Sequence, residues 1–290
     1  MPKPPWLRRR IPEPGRSPFV ARVLSDLSLH TVCQEAQCPN QGECYGRGTA
    51  TFLLLGPGCT RRCAFCAVTK GPSRPDPDEP EAVAEAAWRL ELVFCVLTMV
   101  TRDDLADGGA AHMAAAVRAI KNKRSEQGVE VLISDLKGDP AAIDAVMQAG
   151  PEVLNHNLET VPRLYPHIRP QADYRRSLAV LAQADRSGPR PVTKSGLMLG
   201  LGETMAEVLQ VMEDLRAAGC DLITLGQYLA PSSRHAPVAR YIEPAEFKNL
   251  EREASRLGFL GWAAGPYVRS SYGAADLFRL AAGRRRPRAG

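Results

Sequence analysis

Nine consecutive residues, Gly58-Cys59-Thr60-Arg61-Arg62-Cys63-Ala64-Phe65-Cys66, carry the spacing of a metal centre. A Cys-x3-Cys-x2-Cys loop lets three thiolates converge and supplies no fourth. On a four-iron, four-sulfur cluster, three protein thiolates leave one iron with an open position, which the amine and carboxylate of an amino acid can chelate. Zinc with a distant fourth ligand is the competing chemistry. A second triplet, Cys33-x4-Cys38-x5-Cys44, lies in a stretch too rich in small and polar residues for a core strand. Two triplets point to two metal centres, and His30 is near enough in sequence to complete a Cys3His zinc site with the second.

Positioning these thiols falls to the elements around them. The first triplet follows Thr51-Phe52-Leu53-Leu54-Leu55, an apolar run that reads as a buried strand, so its loop sits just past a strand's carboxyl end. From there the pattern alternates. Strands are expected at 51–55, 92–98, 129–134, 152–155, 192–198 and 221–225, and helices at 79–90, 110–124, 140–148, 173–186, 203–218 and 245–257. Six strand–helix units with buried strands imply a parallel sheet with helices outside, an α/β fold of the partial (β/α)6 TIM type. Polar and glycine-rich residues cluster where the strands end, the catalytic face of such barrels. Six units leave an open side for a bulky substrate. Residues 1 to 30, rich in proline and arginine, read as an extended arm, and the basic tail from Arg284 as disordered. The expected division is an N-terminal cysteine-bearing extension (1–48), a barrel (49–263) and a C-terminal closing segment (264–290).

Composition narrows the function classes. At 290 residues, 44% hydrophobic and 24% charged, the chain has the make-up of an ordinary globular protein with a large core. No apolar run is long enough to cross a bilayer, and Met1 to Arg10 lacks the apolar segment of a secretory signal. The expectation is a cytoplasmic protein without a membrane partner. In that compartment eight cysteines argue for metal ligation rather than disulfides. The net charge of +5 fits an acidic protein partner or an anionic cofactor, while nucleic acid is disfavoured by the lack of a recognition motif and by few aromatics.

Past the sixth expected strand the chain continues Gly265-Pro266-Tyr267-Val268-Arg269-Ser270-Ser271-Tyr272. Consecutive residues of an extended segment face opposite ways, so only one serine points at a given site. Read from the residues alone, these hydroxyls cap backbone groups.

The first triplet's loop resembles that of radical S-adenosylmethionine enzymes. The two triplets followed by Arg269-Ser270-Ser271-Tyr272 occur in this order in lipoyl synthases. Intervening segments agree: Arg102 to Gly109, Asn155-His156-Asn157-Leu158-Glu159-Thr160, Lys194 to Glu203, and Gly226 to Ser232. The resemblance runs from about Trp6 to Tyr272. It departs from the family wording at Met99 and Thr101, where a serine and an aspartate are common.

What the resemblance implies is specific. Cys59, Cys63 and Cys66 would hold the [4Fe-4S] cluster that cleaves S-adenosylmethionine. Cys33, Cys38 and Cys44 would hold an auxiliary [4Fe-4S] cluster with Ser271, rather than Ser270, as fourth ligand. Asp103 and Asp104 are placed by it near the methionine amino group, Asn155, Asn157 and Glu159 near ribose and substrate, and Arg175 near the methionine carboxylate. Lys194 and the glycines from Gly196 to Gly202 would form an edge admitting adenosine. The activity implied is insertion of two sulfurs, at C6 and C8, into an octanoyl chain on a lysine of a lipoyl carrier domain. The implied partners are octanoylated carriers (2-oxoacid dehydrogenase E2 subunits and the glycine cleavage H protein) and a reductant such as ferredoxin or flavodoxin. A hydroxyl is a harder ligand than thiolate, so the auxiliary cluster is expected to be labile and to be consumed as the sulfur source. The alternatives are another radical sulfur-inserting or methylthio-transferring enzyme, or a non-enzymatic iron–sulfur or zinc-binding protein.

Overall fold

The structure, a computed structural model, describes residues 2–9, 12–186 and 190–284. Before the sheet come α1 (Ser17–Asp26), α2 (Val32–Glu35) and α3 (Gln41–Gly46). Then strands and helices alternate: β1 (Thr51–Leu54), α4 (Glu79–Arg89), β2 (Phe94–Met99), α5 (Ala110–Lys123), β3 (Gly128–Leu132), α6 (Pro140–Gln148) and β4 (Val153–Asn155). The second half continues with α7 (Tyr165–Ile168), α8 (Tyr174–Arg186), β5 (Val192–Leu199), α9 (Met205–Ala217), β6 (Leu222–Gln227), α10 (Pro244–Arg256), β7 (Gly261–Gly265) and α11 (Ala274–Arg284). All six expected strands and their six helices are present. The seven strands lie in the order β1 to β7, each parallel to the next.

Local chemistry explains these elements. The strands are aliphatic runs buried on both faces, as β1 and β6 are along their whole length, which parallel strands under a helical layer require. The helices bury one stripe each: Phe247, Leu250 and Ala254 in α10, and Met113, Val117 and Ile120 in α5. Their starts are chemically marked. Thr204 and Glu207 form a capping box on α9, and Asp139 accepts from Ala141 N with Pro140 opening α6.

The sheet curls. In α11, Leu277 and Ala281 share a small core with Val153, Val192 and Leu222, the first residues of β4, β5 and β6, and the Phe278 ring lies 5.5 Å from that of Phe94 at the start of β2. A flat sheet would put β2 and β6 roughly 19 Å apart. One helix meets both only if the strands wrap towards it, and α11 therefore closes the amino-terminal mouth of a partial barrel. Among the described residues β1 and β7 do not pair, so the barrel stays open on that side.

Three expectations need amending. The seventh strand, Gly-Trp-Ala-Ala-Gly, was not expected. It has no β-branched residue and is only half buried, so its register on β6 is fixed by tertiary pairing rather than by propensity. The arm at 1–30 contains α1, whose Val20, Val23 and Leu24 are buried at helical spacing. Its prolines and arginines hid a three-residue apolar face. The tail beyond Arg284 lies outside the described residues, while Arg284 itself ends α11 and donates to Leu260 O.

Candidate functional site

A cavity of about 540 Å³ opens at the carboxyl ends of the strands, and Cys33, Cys38, Cys44, Cys59, Cys63 and Cys66 all border it, as do Ser270 and Ser271. Each of these thiols is free.

The loop of the first triplet is fastened at several points. The Leu55 amide, just past β1, donates to Glu79 at the start of α4 (2.9 Å), and Glu79 also meets His112 Nε2 at 2.7 Å. Cys59 is bracketed by Cys59 N to Thr69 O and Gly71 N to Cys59 O, both 2.9 Å. A tight turn, Cys66 N to Cys63 O at 3.2 Å, brings the last two thiols together. Between them and the sheet lies Arg61. Its Nε and Nη2 bond Asp103 at 2.8 and 2.9 Å, and its Nη1 and Nη2 bond Asp135 at 2.9 and 2.7 Å. Burial works against the Arg61 charge, but the two carboxylates outweigh it and hold the guanidinium above its ordinary range. Burial likewise disfavours the Asp135 carboxylate, yet Arg61 keeps it below the usual aspartate range.

The second triplet is built differently. Cys33 lies in α2, whose cap Thr31 shares a 2.7 Å hydrogen bond with Tyr45. Cys38 N donates back to Cys33 O at 3.0 Å, and Cys44 lies in α3. Burial pushes the Cys33 thiol up to about 12, with Cys38 and Cys44 adding to the rise. Burial also raises Cys44 to about 11, Cys66 to about 11, and Cys63. Desolvated soft donors crowding one another are what a positively charged metal core turns into thiolate ligands. Among the described residues no three His, Cys, Asp or Glu side chains close to the spacing of a single metal ion, the arrangement a Cys3His zinc site needs. Nor does His30 reach the triplet: its Nδ1 lies 3.3 Å from Glu35 and it does not border the cavity. The donor sets fit clusters, whose thiolates bind different irons.

The serine ending reaches the site because two strands carry glycine. At Gly226 in β6 a Cβ would lie 2.2 Å from Val268 O, and at Gly196 in β5 it would lie 2.7 Å from Thr224 Oγ1 and 3.0 Å from Ser270 Oγ. Gly196 thus makes room for the chain's own ending. Asn157 Nδ2 donates to Ser270 Oγ at 2.7 Å and to Glu159 Oε1 at 3.0 Å. Ser271 makes no side-chain hydrogen bond among the described residues. Glu159 has a left-handed backbone (φ +65°), held by Glu159 N to Gly196 O and Met198 N to Glu159 O. Burial raises its carboxyl above the usual range, against the pull of Arg169.

Of the expected S-adenosylmethionine contacts, Asn157, Glu159 and Gly196 border the cavity, while Asp103, Asp104, Asn155, Arg175 and Lys194 do not. Asp103 is committed to Arg61, and Asp104 is chelated by Arg102 at 2.9 and 2.7 Å. Lys194 is wholly buried against Glu130, both oxygens at 2.9 Å, and Asn155 donates to the same carboxylate. These form a layer inside the barrel below the cavity. Arg175 points to solvent from α8, while its neighbour Arg176 comes within 3.4 Å of Asp135.

Among the cavity residues left unassigned from sequence are Arg61, His156 and Arg169. Arg61 stood in the cysteine loop itself. His156 is fully buried with Nδ1 3.0 Å from Ile133 O and no partner on Nε2. Burial pushes it down to about 4, so at neutral pH Nδ1–H donates and Nε2 is a bare acceptor. Arg169 donates to Asn157 O and Leu158 O at 2.9 Å, and its buried Nε has no partner. His156 lay in a quoted segment, whereas nothing local marks Arg169.

The profile of the radical SAM superfamily matches residues 53–215. The lipoyl synthase of Trichlorobacter lovleyi is 54% identical over 276 residues, covering 94% of this chain and 98% of its own. That of Desulfotalea psychrophila is 51% identical over 280 residues, 96% of this chain and 94% of its own. Among solved structures, methylornithine synthase superposes with a TM-score of 0.56 at 15% identity, over 83% of this chain and 73% of its own. Streptococcus suis SuiB bound to S-adenosylmethionine gives 0.58 at 9% identity, over 73% and 49%. Likeness at that identity speaks to the fold alone.

Proposed function

The chain belongs to the lipoyl synthases of the radical S-adenosylmethionine superfamily, and from that premise we propose which of its residues carry the reaction. It is an enzyme that inserts two sulfur atoms, at C6 and C8, into a protein-bound octanoyl-lysine, using S-adenosylmethionine and two [4Fe-4S] clusters. Its substrate is a lipoyl carrier protein, and it draws on a reductant. When bound, the reduced cluster and S-adenosylmethionine supply the 5'-deoxyadenosyl radical that takes hydrogen from the unactivated chain.

The observation that carries the assignment is the meeting of both cysteine triplets and the serine ending at one cavity. Cys59, Cys63 and Cys66 hold the cluster that meets S-adenosylmethionine. Cys33, Cys38, Cys44 and Ser271 hold the auxiliary one. Ser271 is preferred over Ser270 because Asn157 occupies the Ser270 hydroxyl. Asn157, Glu159 and the His156 Nε2 acceptor face the space between and suit ribose and adenine hydrogen bonding. Arg169, which borders the cavity with an unpartnered Nε, takes the methionine carboxylate in place of the exposed Arg175.

Residues 1–48, 49–263 and 264–290 serve as cluster-bearing extension, barrel and closing segment. β7 ends at Gly265, so the closing segment begins within it. Octanoylated E2 subunits and the glycine cleavage H protein are the proposed carriers, and ferredoxin or flavodoxin the proposed donors. No helix among the described residues is long and apolar enough to cross a membrane. A cytoplasmic setting is proposed because all eight cysteines are free, as a reducing compartment keeps them. Mass spectrometry of an octanoylated carrier peptide, incubated with the reconstituted protein, reductant and S-adenosylmethionine, tests the reading. Gain of two sulfurs is expected, and an unmodified peptide alongside efficient cofactor cleavage would refute it.

A further inference from the structure

Between Tyr267 and α11 the closing segment is suspended from few points. At its start, Tyr267 is gripped from three sides: Asn40 Nδ2 donates to its carbonyl (2.7 Å), its hydroxyl donates to Leu7 O (2.7 Å), and the Arg9 guanidinium lies 3.8 Å over its ring. At its end, Leu277 and Ala281 anchor α11 in the barrel mouth. Ser271 lies in the span between. The residue before it, Ser270, is tied to Asn157 of the barrel. The residue after it, Tyr272, donates its hydroxyl to Glu43 Oε1 at 2.9 Å. Among the described residues this is the one side-chain hydrogen bond from residues 268–273 to the cysteine-bearing helices. Glu43 immediately precedes Cys44. The bond therefore joins the neighbour of a cysteine to the neighbour of the serine, across 229 positions of sequence.

We propose that Glu43 and Tyr272 form a latch, a pair of positioning residues that holds Ser271 against the auxiliary centre and sets how slowly that ligand lets go. The inference rests on the assignment of Ser271 and the second triplet to that centre. Without the latch Ser271 is retained by its own bond to metal and by the tether on the barrel side, and a hydroxyl is the weakest anchor in the donor set. Glu43 is itself fixed, by Arg9 at 3.1 Å and Arg47 at 2.9 Å. Deleting the phenol hydroxyl consequently leaves no carboxylate unpaired, and phenylalanine fills the same space. Tyr272→Phe isolates the latch from the fold.

The test uses full-length protein with Cys59, Cys63 and Cys66 changed to Ala, so that only the auxiliary centre can hold iron. Anaerobically reconstituted, it is exposed to a ferrous chelator and the release of the first iron is timed. Adding Tyr272→Phe is expected to speed release on the order of tenfold, the scale of a hydrogen bond to a charged acceptor. Glu43→Gln, which keeps an acceptor for the phenol, is expected to give a smaller rise. Thermal unfolding should be unchanged by Tyr272→Phe, as should S-adenosylmethionine cleavage when that change is made alone. Equal release from protein with and without Tyr272→Phe would overturn the latch, as would faster release matched by a fall in unfolding temperature. Failure of the starting protein to hold any iron would overturn the cluster assignment, and the latch with it.

Discussion

The loop of Cys59, Cys63 and Cys66 grows directly out of β1 and is bolted to the ends of neighbouring strands through Arg61, Asp103 and Asp135. The chain around Cys33, Cys38 and Cys44 lies outside the sheet, on helices of four and six residues, and its serine comes from the far end of the sequence. One set of proposed ligands is local and buttressed by buried charge. The other is assembled from two distant segments laced together by side chains. The difference suits two centres with different proposed tasks: one that returns unchanged after each cleavage, and one that is opened as the expected sulfur source. The largest expected effect follows. Changing Cys59, Cys63 and Cys66 to Ala should abolish S-adenosylmethionine cleavage while about half the iron remains, since each cubane carries about four irons. Changing Cys33, Cys38 and Cys44 should leave cleavage and stop sulfur insertion. Loss of cleavage in a folded protein of the second kind would break the comparison.

A second test attacks the buttress. Arg61→Ala leaves Asp135, whose side chain is fully buried, with Arg176 at 3.4 Å as its nearest cation, and removing one partner of a buried pair costs about 3–5 kcal/mol. Unfolding measurements should show that loss, and the first cluster should be retained worse than the second. The pH dependence is diagnostic. In the unsubstituted protein Arg61 keeps the Asp135 value low, so this stabilisation is complete above the ordinary aspartate range and lost only as pH falls through the depressed value. In Arg61→Ala burial is opposed by the partly exposed Arg176 at 3.4 Å, the carboxyl resists ionising more than in the unsubstituted protein, and the deficit should shrink on acidification towards pH about 5. A deficit independent of pH would mean that Arg61 acts by packing.

How much of this the sequence disclosed depends on the range of the interaction. Six strands and their helices follow from local periodicity, and the triplets announce themselves by spacing. Lys194 misled because its strand position says only that it faces into the barrel. That Glu130 waits there, 64 residues away, is a property of the closed sheet. Asp103 was expected near the methionine amino group because it follows β2, while its partner Arg61 comes from another strand's loop. Arg175 and Arg169 are both arginines near α8, and only the fold shows which one turns inward. Gly196 borders the cavity, as an edge admitting adenosine would, and it also makes room for Ser270, which its spacing did not disclose. For Lys194 and Asp103 the missing fact is a charged partner remote in sequence.

His156 gives a smaller and independent handle on the barrel side. Buried and pushed down to about 4 from an ordinary value near 6.5, it binds its proton less readily folded than unfolded. Its contribution is therefore an acid destabilisation, absent above about pH 6.5 and growing to about 3 kcal/mol as pH falls towards 4. His156→Gln should flatten that part of the stability–pH curve. An unchanged slope between pH about 6.5 and 4 would place the titrating group elsewhere.

The smallest effect concerns the substrate's approach. The chain is net basic at +5, and lipoyl carrier domains are generally acidic, so encounter should be helped by charge. Exposed basic side chains line the rim of the first triplet, Arg62 and Lys70 among them, and Lys70 reaches back to Cys66 O at 3.1 Å. Contacts of that kind act through diffusion, and at physiological salt they are screened over about 8 Å. Raising ionic strength from about 0.05 to 0.5 M should therefore slow association with an intact carrier several-fold, and leave dissociation nearly unchanged. A short octanoyl-lysine peptide, lacking the acidic domain, should be almost indifferent to salt. Association rates measured for both substrates on the same enzyme decide the matter. Equal salt sensitivity would mean that the carrier's charge is not what the basic rim reads.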